Sequence, residues 1–335
     1  MILITGGTGL VGANLLLLLL EKGEKVRAIY RNEKSKNKTK TLFELYKKED
    51  LFPQIEWIQA DINDVPALEK AFDNIGYVYH CAAYVSLSSA DEKMYKINIE
   101  GTANIVNLSI DFGVKKLCYV SSIAALGTPE NPNNMITEET EWNPNFNNSD
   151  YAISKYGGEM EVFRGSQENL DVVVVNPGII LGVEFWDYGS TVFFKKVKNG
   201  LPFYTQGKTG FVAVSDVVQI MYELMKSEIK SERFILVAEN MTIQDFLNKI
   251  ADAIETKRPK YHAKPYITNF ASAIDGVFST LFFRERKFTK SMHYSAHSQT
   301  VFSNQKIKNA LGFEFTDITE YINEVGRYYL EIEKS

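Results

Sequence analysis

The chain has 335 residues, 45% of them hydrophobic, and a formal net charge of -5, enough apolar content to bury one large core or two unequal lobes and too much for a disordered chain. Its basic residues are interspersed with acidic ones, which excludes the concentrated positive surface of a nucleic-acid binder. The two cysteines, Cys81 and Cys118, lie in apolar runs and exclude a disulfide scaffold, while the leucine run Leu15 to Leu20 is far shorter than the about 18 residues of a membrane span.

In chain order, Ile2 to Thr5 is an apolar strand, a leucine-rich helix follows and ends at Gly23, and Val26 to Tyr30 is a second strand. Glu56 to Gln59, Tyr77 to His80, Leu117 to Val120 and Val172 to Val175 bring the strands to six, alternating with helix-period segments. This alternation predicts βαβ units and an α/β fold, a Rossmann-like doubly wound parallel sheet. Lys34 to Lys48 reads as a solvated loop and helix face. Beyond Gly182 the pattern is irregular and aromatic, with Phe185, Trp186, Phe193, Phe194, Phe203 and Tyr204 close together, and predicts a smaller, mixed substrate-binding lobe. The expected division gives residues 1–180, with a return at about 211–230, to a dinucleotide-binding domain, and residues 181–210 and 231–335 to the substrate lobe. Tyr266 to Phe283 is apolar but interrupted by Asp275 and Gly276; it reads as core packing or a substrate lid, with membrane-surface contact as the alternative. The N-terminus has no basic region ahead of an apolar one, so a cytoplasmic protein without stable membrane insertion is expected. His293 and His297 have ligand-like spacing without a third partner, and no metal is expected.

Directly after the first strand stands Gly6-Gly7-Thr8-Gly9-Leu10-Val11-Gly12, followed at once by the helix. In that setting the glycines allow a tight turn and close approach of backbone to a pyrophosphate, and the helix N-terminus offers N–H groups and a favourable dipole. The second strand ends in Tyr30-Arg31-Asn32, where an acid would be expected for the ribose 2′-hydroxyl of NAD. Arg31 points instead to a 2′-phosphate, with Lys34 or Lys36 assisting, so NADP is expected ahead of NAD; Glu33 nearby keeps NAD open. Further on, Tyr151-Ala152-Ile153-Ser154-Lys155 puts a phenol and an ammonium one turn apart on a helix face behind an N-cap at Ser149. A neighbouring cation favours phenolate, so such a pair can exchange a proton with a carbonyl or alcohol oxygen.

Taken together, Gly6 to Gly12, Asp61-Ile62, His80-Cys81-Ala82-Ala83, Asn98-x-x-Gly101-Thr102, Val120-Ser121-Ser122, Tyr151-x-x-x-Lys155 and Asn176-Pro177-Gly178 resemble the extended short-chain dehydrogenase/reductase family through most of the first 220 positions. The resemblance implies that Asp61 and Ile62 flank the adenine, that Ala82 and Ala83 line the cofactor path, and that Pro177 to Ile180 lie against the nicotinamide. It also implies Ser122, rather than Ser121, as the catalytic hydroxyl, Tyr151 as general acid/base, and Lys155 as the group that tunes it and holds the nicotinamide ribose. Asn98 matches the family's helix asparagine loosely, as a packing residue or a proton relay. The family resemblance further implies homodimers through paired helices. Ala213 stands where the family often has an acid.

Three functions are compatible with these residues. The first is an NADPH-dependent reductase of a hydrophobic carbonyl compound, in the manner of the dihydroflavonol reductase and hydroxysteroid dehydrogenase branches. The second is a nucleotide-sugar epimerase or dehydratase with tightly bound NAD; dehydratases tend to have an Asp-Glu pair after the active hydroxyl, whereas Ile123-Ala124 follows Ser122 here. The third is a cofactor-binding sensor without chemistry, for which Ser122, Tyr151 and Lys155 would all be superfluous. The aromatic cluster reads equally as a substrate wall or as ordinary core.

Overall fold

Successive side chains of a strand point to opposite faces, so a strand covered on both sides must be apolar throughout. The computed structural model describes residues 1–85, 92–128, 135–146, 148–186, 189–269 and 290–334. From the N-terminus, β1 (Ile2–Thr5) leads into α1 (Leu10–Glu21), β2 (Val26–Tyr30) into α2 (Lys36–Leu45), and β3 (Glu56–Gln59) into α3 (Val65–Phe72). Next come β4 (Tyr77–His80), α4 (Glu92–Tyr95), a π-helical turn over Lys96–Glu100, α5 (Gly101–Asp111), β5 (Lys116–Val120), α6 (Asp150–Gln167) and β6 (Asp171–Pro177). The second half contributes β7 (Ile179–Leu181), α7 (Val192–Lys198), β8 (Phe203–Tyr204), β9 (Lys208–Ala213), α8 (Val214–Lys226), β10 (Glu232–Leu236), β11 (Glu239–Thr242), α9 (Ile243–Ala253) and β12 (Tyr261–His262). Helices Lys290–His297, Gln305–Leu311 and Ile318–Lys334 complete the described chain.

Seven strands pair in the order β10-β6-β5-β4-β1-β2-β3, all parallel. Their side chains sort by parity. Ile2, Ile4, Val26, Ala28, Cys118, Val120, Val173 and Val175 face one core with α1 and α8, whereas Leu3, Ile29, Leu117, Tyr119, Val172 and Val174 face another with α3 and α5. The seventh strand, β10, lies in the region that the sequence division gave to the substrate lobe, and it extends the sheet-bearing unit beyond residue 230. The helix of the expected return, α8, does pack on α1, but the strand that feeds it, β9, pairs with β7 and β11 in a separate three-stranded sheet. In the Lys-rich stretch, α2 turns Thr39, Leu42 and Phe43 inward and leaves Lys40 exposed.

A third core joins Leu181, Phe185, Phe194, Phe211, Phe246, Ile322 and Val325. Phe185 and Phe194 are buried within it, and Trp186 packs edge-on against Phe194 and Tyr329. Much of the aromatic cluster is therefore core rather than open wall. Tyr266 to Asn269 begin the apolar stretch in a helical turn with Tyr266 exposed, and the remainder to residue 283 lies outside the described residues. Among the described residues no helix is long and apolar enough to cross a membrane.

His80, at the end of β4, is fully buried and satisfied. Because Thr102 gives its own proton to the Asn98 carbonyl, it accepts from His80 Nε2 at 3.0 Å, and His80 Nδ1 accepts from Thr5 at 2.6 Å. Burial, and secondarily the charge of Lys155, holds the imidazole near pKa 3. An unfolded histidine titrates near 6.5; as pH falls from there towards about 3, the unfolded chain binds a proton that the native chain refuses, and stability is lost. Urea denaturation of a His80→Gln variant should accordingly show a shallower decline in stability between about pH 6 and pH 4 than the wild type, and parallel declines would refute this account of His80.

Candidate active site

The site forms where β1, β4, β5 and β6 end. A glycine is needed first. Gly6 has φ +70°, and a Cβ there would lie 2.6 Å from Ala82 N, so the turn after β1 sits directly on the chain leaving β4. At Gly12 a Cβ would meet the Gly6 carbonyl at 2.2 Å, which makes α1 start tightly against the turn. Gly9 caps α1 without any side-chain bond, and no acid occupies the first turn. Thr8, Leu10 and Val11, all half-buried, complete the amide-rich helix start beside exposed Gly9, and these residues fit a pyrophosphate. Ala82 is half-buried and Ala83 exposed beside it.

Towards the opposite sheet edge, Arg31 is exposed at the tip of β2, and its carbonyl accepts from Gln59 at the end of β3. Glu33 is engaged elsewhere: Lys36 holds it at 2.6 Å and Tyr30 hydrogen-bonds it. Asp61 accepts from Asn63 N at 2.9 Å. The Ile62 side chain belongs to the core and lies where a Gly101 Cβ would be, so any contact of Ile62 with a nucleotide is through its backbone.

Tyr151 stands in the first turn of α6. Ser149 Oγ accepts from Ala152 N at 3.1 Å, as its capping role predicts, Tyr95 Oη donates to Asp150 at 2.9 Å, and Trp142 stacks on Tyr156 at 4.4 Å. Ser122 hydrogen-bonds the Tyr151 phenol; burial pushes that phenol up and the serine pulls it down, with a net rise. Lys155 is 1% exposed, and its ammonium donates to Val120 O at 2.7 Å and Tyr119 Oη at 3.1 Å. Burial lowers its pKa to about 8 against the opposing pull of Glu159 and Cys81. Among the described residues, burial and Ser122 are the effects that set the phenol, and these two acceptors hold the ammonium at the end of β5.

Pro177 is buried at the end of β6, and Ile180 is half-buried in β7. Close by, a Gly178 Cβ would lie 2.4 Å from the Gly210 carbonyl, which presses the chain leaving β6 onto β9. Asn98 spends its side chain on Tyr84 N and O and on Ser154 Oγ, so it clamps the chain leaving β4 to α6. Sequence reading passed over Tyr119, which seats the Lys155 ammonium, and Glu159, although Glu159 continues the four-residue spacing of Tyr151 and Lys155. His293 and His297 both meet the hydroxyl of Thr268, at 2.8 and 2.7 Å, and among the described residues no three His, Cys, Asp or Glu form a metal-ligand group.

Residues 2–238 match the NAD dependent epimerase/dehydratase family. The chain is 27% identical to the sterol demethylase protein B of Methylococcus capsulatus, over 85% of this chain and 84% of that one. It is 28% identical to the dihydroflavonol 4-reductase of Callistephus chinensis, over 85% and 79%. Its fold is similar to that of the UDP-glucose 4-epimerase of Thermotoga maritima solved with UDP-glucose, with TM-score 0.78, 20% identity and 99% of both chains covered. A Gly12→Ala variant, whose new methyl must displace the Gly6 carbonyl, should weaken nicotinamide dinucleotide binding about tenfold or more in a fluorescence titration; undiminished affinity would show that the turn does not receive the pyrophosphate.

Proposed function

This chain belongs to the NAD dependent epimerase/dehydratase family and is an NAD(P)-dependent enzyme of the extended short-chain dehydrogenase/reductase type, and we propose that it is a reductase acting with NADPH on the carbonyl group of a hydrophobic small molecule. The observation that carries this reading is the Ser122–Tyr151 hydroxyl pair one helical turn from the buried Lys155, at the sheet end that also holds the Gly6 to Gly12 turn. A bound nicotinamide supplies or accepts a hydride. For reduction the protein must then deliver one proton to the oxygen as the hydride reaches the carbon. Tyr151 is suited to that role because burial keeps its phenol protonated at neutral pH, the form that can give a proton to a developing alkoxide. Ser122 fixes the same oxygen by hydrogen bonding. Lys155 offers an N–H donor to the cofactor ribose.

NADPH is favoured over NADH by Arg31 at the tip of β2, together with the engagement of Glu33 by Lys36 and Tyr30. The apolar substrate is supported by two relatives whose names refer to a sterol and a dihydroflavonol. The epimerase reading differs in requiring cofactor that stays bound through turnover, and in this chain Ile123-Ala124 stands after Ser122.

Two measurements test the proposal. Purified protein should oxidise NADPH in the presence of steroid-like or flavonoid-like ketones, and Tyr151→Phe should lower kcat by at least about a hundredfold while cofactor affinity is retained. Turnover of a nucleotide sugar with tightly retained NAD, or full activity in Tyr151→Phe, would overturn it. Separately, Arg31→Ala should reduce the preference for NADPH over NADH by about tenfold, read as the ratio of Kd values; an unchanged ratio removes Arg31 from cofactor choice.

A further inference from the structure

Glu159 lies one turn beyond Lys155 and two beyond Tyr151, so the three share one face of α6. Its side chain is 0% exposed, rare for a glutamate without partners. Ser121 Oγ donates to its Oε2 at 2.7 Å, Asn176 Nδ2 donates to the same oxygen at 2.9 Å, and Arg233 Nη1 donates to Oε1 at 3.0 Å. Arg233 also donates through Nε to the Glu138 carbonyl at 3.0 Å, tying down the chain between Ser122 and α6. Two of these contacts, and Glu159 itself, adjoin residues of the candidate site. Ser122 follows Ser121, Pro177 follows Asn176, and Lys155 precedes Glu159 by a turn.

Among the described residues, the charges around Lys155 are few. Tyr119, Cys81 and His80 face it from β5 and the end of β4, and all are neutral near pH 7, because burial pushes the phenol up, the thiol up to about 12 and the imidazole down to about 3. Tyr151 on its own helix is likewise a neutral phenol. Glu159 is the carboxylate that acts on the ammonium, and Arg233 is the cation that shares that carboxylate.

We propose that Glu159 is a positioning residue, a buried carboxylate that keeps the Lys155 ammonium charged in its low-dielectric seat and locks the ends of β5 and β6 to the helix that carries Tyr151. The idea deepens the reductase reading, but its test needs neither substrate nor cofactor, so the two can fail separately.

In protein labelled with 13C at the lysine ε-carbon, the Lys155 resonance is identified by its loss in Lys155→Met and followed with pH by NMR. The wild-type midpoint is expected at about 8. Glu159→Gln should move it down by about one pH unit or more, and Glu159→Asp, which keeps the charge but retracts it, should fall between the two. If Glu159 served packing alone, Glu159→Gln would leave the midpoint in place or, by admitting water, raise it towards the ordinary lysine value; either result overturns the proposal. Should Glu159→Gln fail to fold, a lowered midpoint in Glu159→Asp supports the proposal, and an unchanged or raised one overturns it.

Discussion

Lys155 is an ammonium taken almost wholly out of water, and much of the surrounding architecture follows from that placement. An isolated charge in the interior is very costly unless hydrogen bonds and a countercharge replace its hydration. Val120 contributes a carbonyl, Tyr119 a phenolic oxygen with its ring beneath the charge at 4.6 Å, and Glu159 the negative partner one turn away. For these groups to reach the amine, α6 must lie unusually close to the sheet and to the helical turn that holds Asn98. Gly158 permits this, since a Cβ there would lie 2.4 Å from Asn98 O and 2.6 Å from Tyr119 Oη. A small residue in a helix interior, normally a cost to helix stability, is here a condition of the Lys155 seat.

The same closeness produces a continuous buried polar chain. It runs from Thr5 through His80 and Thr102 to the Asn98 carbonyl, and from the Asn98 side chain to Ser154, whose hydroxyl donates to the Tyr151 carbonyl at 2.9 Å. Each link is satisfied without a formal charge, which keeps Lys155 and Glu159 as the ionised centre of the region. The chain joins β1, where the glycine turn begins, to the helix bearing Tyr151. Parallel topology explains why such distant segments meet: all strands of the large sheet end at one edge, where the segments that follow them lie side by side.

How much of this was legible in the sequence depends on the range of the interaction. Strands β1, β2, β4, β5 and β6 could be read because both faces are covered and apolar runs result, β3 from its Trp57-Ile58 centre, and the Gly6 to Gly12 turn and the Tyr151/Lys155 pair are local spacings. The last strand, β10, was missed: Glu232 and Arg233 break its apolar run, as suits an edge strand with one polar end. Glu159 and Arg233 are separated by 74 positions, and no local period signals that they pair. The aromatics after Gly182 were visible as a cluster, yet their direction was not, because Phe185 and Phe194 turn inward only once Phe211, Phe246 and Tyr329 arrive from later in the chain.

The two serines after β5 show how a single strand step separates structure from chemistry. Ser121 and Ser122 are identical in composition and adjacent in sequence, but extended backbone sends alternate side chains to opposite sides. Ser121 consequently reaches Glu159 at 2.7 Å, whereas Ser122 reaches Tyr151. A shift of β5 by one residue would exchange the two, leaving the phenol facing no hydroxyl and the buried carboxylate short of a donor. Ser121 N donates to Val175 O at 2.8 Å, extending the β5–β6 pairing one residue past the strand end. Register in the sheet is therefore what decides which hydroxyl faces Tyr151.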